Sequence, residues 1–156
     1  MTDLSAESRL ERIYREHGAR LWRAVFAFTG DRHVADDAVS EAFAQALRRG
    51  GAIRDPLAWT WRVAFRLAAA ELKDRRARGA PKDDAAYEMP EPAWDVLRAL
   101  DRLSPMQRAS IVLHHYAGYP TKEVAVILGS TSAAVRVHLS VGRRRLREML
   151  GEPADV

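Results

Sequence analysis

The chain reads as an all-α protein of two small helical domains, a three-helix bundle and then a four-helix unit ending in a helix-turn-helix. Three observations carry that reading. Apolar residues recur at spacings of three, four and seven, and no stretch alternates as a strand would. Helix starts and stops are marked by capping residues, prolines and glycines. A proline-bearing acidic stretch, ARGAPKDDAAYEMPEPA, lacks helical periodicity, and proline both removes a backbone donor and turns its predecessor away from helix. The expected division is a first domain 1–76, a flexible linker 77–93, a second domain 94–150 and a tail 151–156.

In the first domain Leu10, Ile13, Tyr14, Leu21, Val25 and Phe28 mark one helix, stopped at Gly30 with Asp31 as the next N-cap. The second helix, DRHVADDAVSEAFAQALRR, has Val34, Ala38, Phe43 and Leu47 on its apolar side and Asp36, Asp37 and Glu41 in its N-terminal half. Gly50-Gly51 ends it. Asp55-Pro56 then supplies an N-cap and a first-turn proline for the third helix, LAWTWRVAFRLAAAELKDRR. In the second domain Trp94, Leu97, Leu100 and Leu103 give a short amphipathic helix, and Ser104 to Gln107 form a capping box that opens the next. Thr121 is expected to cap KEVAVILG, and Thr131 or Ser132 to cap the last helix.

Composition excludes several function classes. At 156 residues and 47% hydrophobic content the chain can bury a core. It has no cysteine, hence no disulfide or thiolate site, and its five histidines lack metal-ligand spacing, so neither a metal nor a cofactor is expected. No apolar run reaches membrane-spanning length and the N-terminus has no signal-peptide pattern, so no membrane insertion is expected and the chain should be soluble and cytoplasmic. No catalytic constellation of acids, serines and histidines is recognisable, which argues against an enzyme. Residues 94–150 hold nine Lys/Arg against four Asp/Glu, a basic block behind an acidic joint.

The end of the chain concentrates the signal. Ala125, Gly129 and Val135 supply a small residue, a glycine able to take positive φ and an apolar anchor, as a helix-turn-helix requires. On the last helix Val135, Leu139, Gly142, Leu146 and Leu150 face inward, and Arg136, Ser140, Arg143 and Arg147 form a second stripe about 100° round. Arg144 and Arg145 point elsewhere. Alone, the cationic stripe fits a solvated arginine face as well as a DNA-reading one; a preceding tight turn favours DNA.

Taken together, DRHVADDAVSEAFAQALRR resembles the acidic helix of region 2 in bacterial RNA polymerase sigma factors of the extracytoplasmic-function (ECF) group. DPLAWTWRVAFRLAAAELKDRRAR resembles the promoter-reading helix that follows it there, and ALDRLSPMQRASIVLHHYAGYPTKEVAVILGSTSAAVRVHLSVGRRRLREML is similar to that group's region 4. The resemblance runs from Tyr14 to Leu150.

It implies that Asp36, Asp37, Glu41 and Phe43 dock on the clamp helices of the largest subunit of core polymerase, acids around an apolar patch suiting a basic partner. It implies that the loop Arg48 to Asp55 captures a flipped base, and that Arg54, Trp61, Arg62, Arg66 and Lys73 hold the melted minus-ten element, with Trp59 packed inward. Ser132, Ala133, Ala134, Arg136, Val137 and His138 would read the minus-thirty-five element, with Arg143 and Arg147 on phosphate. An anti-sigma protein is the resting partner the resemblance implies, and no further signalling domain is expected.

The chain departs from the family pattern at Ser40, at Phe65-Arg66 and Ala70, and near Val141-Gly142. Arginine only donates where asparagine both donates and accepts, so a changed base preference is expected at Arg66. Gly142, worth about 1 kcal/mol against alanine in a helix, is expected to bend or fray the last helix. The competing reading is a polymerase-independent regulator that binds an operator as a dimer through the same helix-turn-helix, although no dimer seam is evident.

Overall fold

The computed structural model describes residues 4–79 and 91–151. Most of the expected linker, residues 80–90, lies outside the described residues, as do residues 1–3 and 152–156 of the tail. Among the described residues there is no strand. Seven α-helices follow one another: α1 (Leu4–Thr29), α2 (Arg32–Arg49), α3 (Pro56–Arg78), α4 (Glu91–Asp101), α5 (Pro105–Ile111), α6 (Thr121–Leu128) and α7 (Ser132–Leu150).

The first three form a bundle whose corners follow from local chemistry. Gly30 takes φ 65° and closes α1, its N–H donating to the Phe26 carbonyl at 2.7 Å. Asp31 then caps α2, accepting from the His33 and Val34 amides at 2.9 and 3.1 Å. Its other oxygen receives Arg75 Nη1 of α3 at 2.7 Å, so this buried carboxylate ties the start of α2 to the end of α3. Glu71, one turn before Arg75, accepts from its Nε and with Asp31 raises the Arg75 pKa above its ordinary value. Asp55 caps α3 through the Ala58 amide, with Pro56 in the first turn. Leu21, Val25, Val34, Ala42, Ala64 and Phe65 fill the interior, and Phe28 stacks on Phe65 at 5.3 Å.

The second bundle is α4 to α7. Ser104 and Gln107 make the reciprocal capping box that starts α5. α5 runs on into one wider, π-type turn, Val112–Tyr116. Thr121 is the first residue of α6 rather than its cap; Pro120 holds the N-cap position and offers no side-chain acceptor. α7 runs unbroken through Gly142, contrary to the expected fray. A Cβ there would lie 3.0 Å from Ile111 Cγ1, so Gly142 is where α7 and α5 touch backbone to side chain. The lost helix propensity is offset by close packing.

The two bundles pack on each other. Arg108, 2% exposed, donates Nε to the Leu100 carbonyl at 2.9 Å and Nη2 to that of Leu103 at 3.1 Å, while Nη1 crosses to the Phe28 carbonyl at the end of α1 at 2.7 Å. Burial pulls its pKa down to about 10, which still leaves it charged at neutral pH. Arg20 and Arg23 of α1 donate to the Tyr116 carbonyl and hydroxyl at 2.7 and 2.9 Å. Trp61 of α3 meets Tyr119 edge-on at 5.5 Å. Burial is the main cause that drives the Tyr119 hydroxyl pKa up to about 12.

Candidate nucleic-acid interface

The turn between α6 and α7 is built on Gly129. It takes φ 65° and its N–H reaches the Ala125 and Val126 carbonyls. Ser130 N–H donates to Ala125 O at 2.8 Å, and Thr131 Oγ1 accepts the Ala134 amide at 3.1 Å to cap α7. The chain turns through 103° between the two helices, within the range of a DNA-binding helix-turn-helix. Val124, Ala125, Ile127, Val135 and Leu139 are buried in the seam between them.

What α7 leaves outside is the candidate reading face. Ala133, Arg136, Val137 and Ser140 are exposed in its N-terminal half, and Ser132, Ala134 and His138 are half-buried at its edges. Arg147 is exposed further along, and Arg143 lies 3.3 Å through Nη1 from His115 Nε2. Burial, then His114 and Arg143, hold the His115 pKa below its ordinary value, so its ring is neutral and its Nε2 accepts from the guanidinium. Arg145 instead braces the bundle, donating to Gln107 Oε1 and the Arg102 carbonyl at 3.0 and 2.8 Å. The three adjacent arginines therefore divide: Arg143 on the cationic side, Arg144 exposed, Arg145 structural.

On the first bundle Asp36, Asp37, Ser40 and Glu41 all lie exposed on α2. Asp36 Oδ1 accepts Trp22 Nε1 at 2.6 Å. Glu41 accepts from Gln45 and Arg48, and those hydrogen bonds lower its pKa, keeping the carboxylate ionised. Phe43 does not join them. It is 9% exposed and meets Tyr14 edge-on at 5.1 Å, which makes it part of the core. The apolar element on the acidic face is Leu47, 52% exposed and in line with Asp36 and Ser40 around α2.

Both tryptophans of α3 pack inward, Trp61 the more deeply, contrary to the DNA-facing place expected of it. Trp61 is 3% exposed, stacked parallel to Phe65 at 6.2 Å and covered by Tyr119, so it presents no ring face to a base. Trp59 is half-buried, and the Arg49 guanidinium lies 5.5 Å from its ring centroid, beside the loop ahead of α3. Arg54 and Lys73 are exposed, and Arg62 is half-buried with a buried Nε that has no partner. Arg66 is exposed and its Nη2 reaches the Val126 carbonyl of α6 at 3.5 Å. A cavity of about 400 Å³ opens between the start of α1 and the loop, against Arg48, Arg49, Gly50, Gly51 and Ile53. A second, strongly apolar groove of about 590 Å³ runs between the bundles past Trp22, Phe26, Leu97, Ile111 and Tyr116.

Sequence did not single out Arg108, and it gave Tyr116 only as an apolar position of its helix, yet both hold the bundles together. One basic residue on an amphipathic helix looks like any other until its carbonyl partners are known. Among the described residues no group of three or more His, Asp or Glu is placed to hold a metal ion, and no single helix is long and apolar enough to cross a membrane.

A helix-turn-helix with an open, partly cationic face, packed on a second bundle with an acidic helix and a cation-bearing one, has the architecture of a helical DNA-binding protein. Residues 93–146 match the family model described as Sigma-70, region 4. Over 95% of its length the chain is 33% identical to the ECF RNA polymerase sigma factor SigL of Mycobacterium tuberculosis, 93% of which is covered. It is 31% identical to that organism's probable ECF RNA polymerase sigma factor SigI over 93% of this chain, and spans 57% of SigI's length. The sigma factor RpoE, solved with the anti-sigma factor NepR from Bartonella quintana, shares the fold at a TM-score of 0.76 and 19% identity, with 94% of this chain and 99% of RpoE covered. The chain belongs to the ECF sigma factors of bacterial RNA polymerase.

Proposed function

We propose that this chain binds core RNA polymerase and directs initiation at a two-part promoter. The observation that carries the reading is the open N-terminal face of α7 after a capped, glycine-closed turn, within a chain similar to SigL across both bundles. Arg136 and its neighbours read the distal element in the major groove, and Arg143 and Arg147 contact phosphate. Asp36, Asp37 and Glu41, with Leu47 in place of Phe43, offer polymerase an acidic face around an apolar centre. Arg54, Arg62, Arg66 and Lys73 supply cations to the melted proximal element, and Trp59 with the Arg48–Arg49 cavity supplies stacking surface.

The packed arrangement has a consequence for this function. α3 touches α6, yet promoter elements about 25 base pairs apart lie about 85 Å apart at about 3.4 Å per base pair. The bundles separate when both elements are read. The groove between them suits an anti-sigma protein that would hold them together.

The test is footprinting on genomic promoter fragments. Protection of a distal and a proximal element only when core polymerase and the chain are both present supports the reading. Specific protection by the chain alone, as paired half-sites, transfers the assignment to the dimeric regulator.

A further inference from the structure

On α7 the buried residues Val135, Leu139 and Gly142 define the direction of the core. Val137 lies roughly 170° round the helix from their mean direction, at about 100° per residue. It is 60% exposed, the second most exposed large hydrophobic among the described residues after Leu4. Nothing in the second bundle covers it, and the β-branched side chain brings helix propensity no better than ordinary. Ala133, one turn earlier and also exposed, shares its side; Arg136 and Ser140 lie to one side of it, and the exposed Arg144 continues its line two turns on. In the N-terminal half of α7, the half that enters the groove, the centre line of the face is therefore methyl groups, with the Arg136 guanidinium to one side.

In the major groove the group that an aliphatic side chain distinguishes is the thymine C5-methyl; the rest of each base edge offers donors or acceptors that valine cannot meet. We infer that Val137 packs on the methyl of a thymine in the distal promoter element and so sets base preference there. Arg136, offset by one residue, reads a neighbouring base pair or its phosphate. The inference rests on the promoter-reading assignment of α7 and adds to it the base and the atom that Val137 meets.

The experiment uses holoenzyme assembled from the full chain and core polymerase on a promoter mapped by start-site sequencing. Each thymine of the distal element, on both strands, is replaced in turn by deoxyuridine, which removes only the methyl group. The readout is the initial transcription rate at sub-saturating holoenzyme. One thymine is expected at which the replacement lowers the rate about fourfold to tenfold, the worth of one buried methyl or a little more. Val137→Ser should lose a similar factor on the thymine template and be insensitive to deoxyuridine there. Val137→Ile, which keeps the apolar surface, should remain sensitive.

An element without thymine, a native chain indifferent to every methyl, or undiminished sensitivity in Val137→Ser would each overturn the inference. Absence of any promoter-specific transcript would sink the underlying assignment as well, and is distinguished by its independence of template base. Because Val137 is exposed, circular dichroism of the serine variant is expected to match the native chain, so a lost rate reports contact with DNA.

Discussion

The two helices proposed to carry DNA-reading residues are presented in opposite ways. On α7 the reading face is open, with Ala133, Arg136, Val137 and Ser140 exposed. On α3, Trp61 is under Tyr119 and Arg66 reaches the backbone of α6. The same interface produces both facts, because the second bundle covers α3 with α6 and so turns α7 outward. On the proposed assignment, the duplex-reading surface is ready in the isolated chain, and the surface for melted DNA would be completed only after the bundles part. That order matches the order of need, since duplex exists before melting.

The largest effect on this contrast is expected from Arg108→Ala. The side chain donates to carbonyls of Leu100, Leu103 and Phe28, so its loss leaves buried acceptors unpaired and should cost about 3 kcal/mol in a urea titration. Replacement by methionine, which fills the space without donors, should recover only part of that. Arg136→Ala comes next. Loss of one bidentate base contact is worth about 1–3 kcal/mol, so transcription should fall about fivefold or more on a matched promoter while affinity for core and the unfolding midpoint stay put. Asp37→Lys should do the reverse, weakening core binding in fluorescence anisotropy with the start site unchanged.

Tyr116→Ala removes the acceptor hydroxyl of Arg23 and the ring beneath Arg20, with a stability loss of about 1 kcal/mol. Fluorophores placed on α2 and α7 should then report a larger mean separation, and α3 should bind single-stranded DNA more tightly. Equal separation in native and variant chains would mean that the arginine contacts do not hold the bundles closed.

The smallest effect is a pH dependence. The His115 pKa is lowered in the folded chain by burial, His114 and Arg143, so the unfolded chain binds the proton more readily. Its contribution is fully present above pH of about 6.5 and is lost as pH falls through the lowered folded value. Urea midpoints at pH 7.5 and 5.5 should differ less for His115→Gln than for the native chain.

The local rules of the fold were legible in the residues. Asp31, Asp55, Ser104 with Gln107, and Thr131 all cap the helices expected of them, and Gly129 makes the turn. Contacts between residues far apart in the chain were not legible. Periodicity places Trp59 and Trp61 on α3 but cannot say which one the second bundle will cover; Tyr119 decides that. Phe43 and Leu47 stand one turn apart, and the choice between them depends on where Tyr14 of α1 lies. Gly142 read as a defect because propensity counts only the helix itself; its neighbour Ile111 turns it into a point of close packing.

Reconstituted transcription is the most direct test of the whole account. Core polymerase with the native chain should yield discrete start sites downstream of a shared two-part element; core alone, or core with Arg136→Ala, should yield none or few of them. Start sites that do not depend on the chain, or none in any combination, would contradict it.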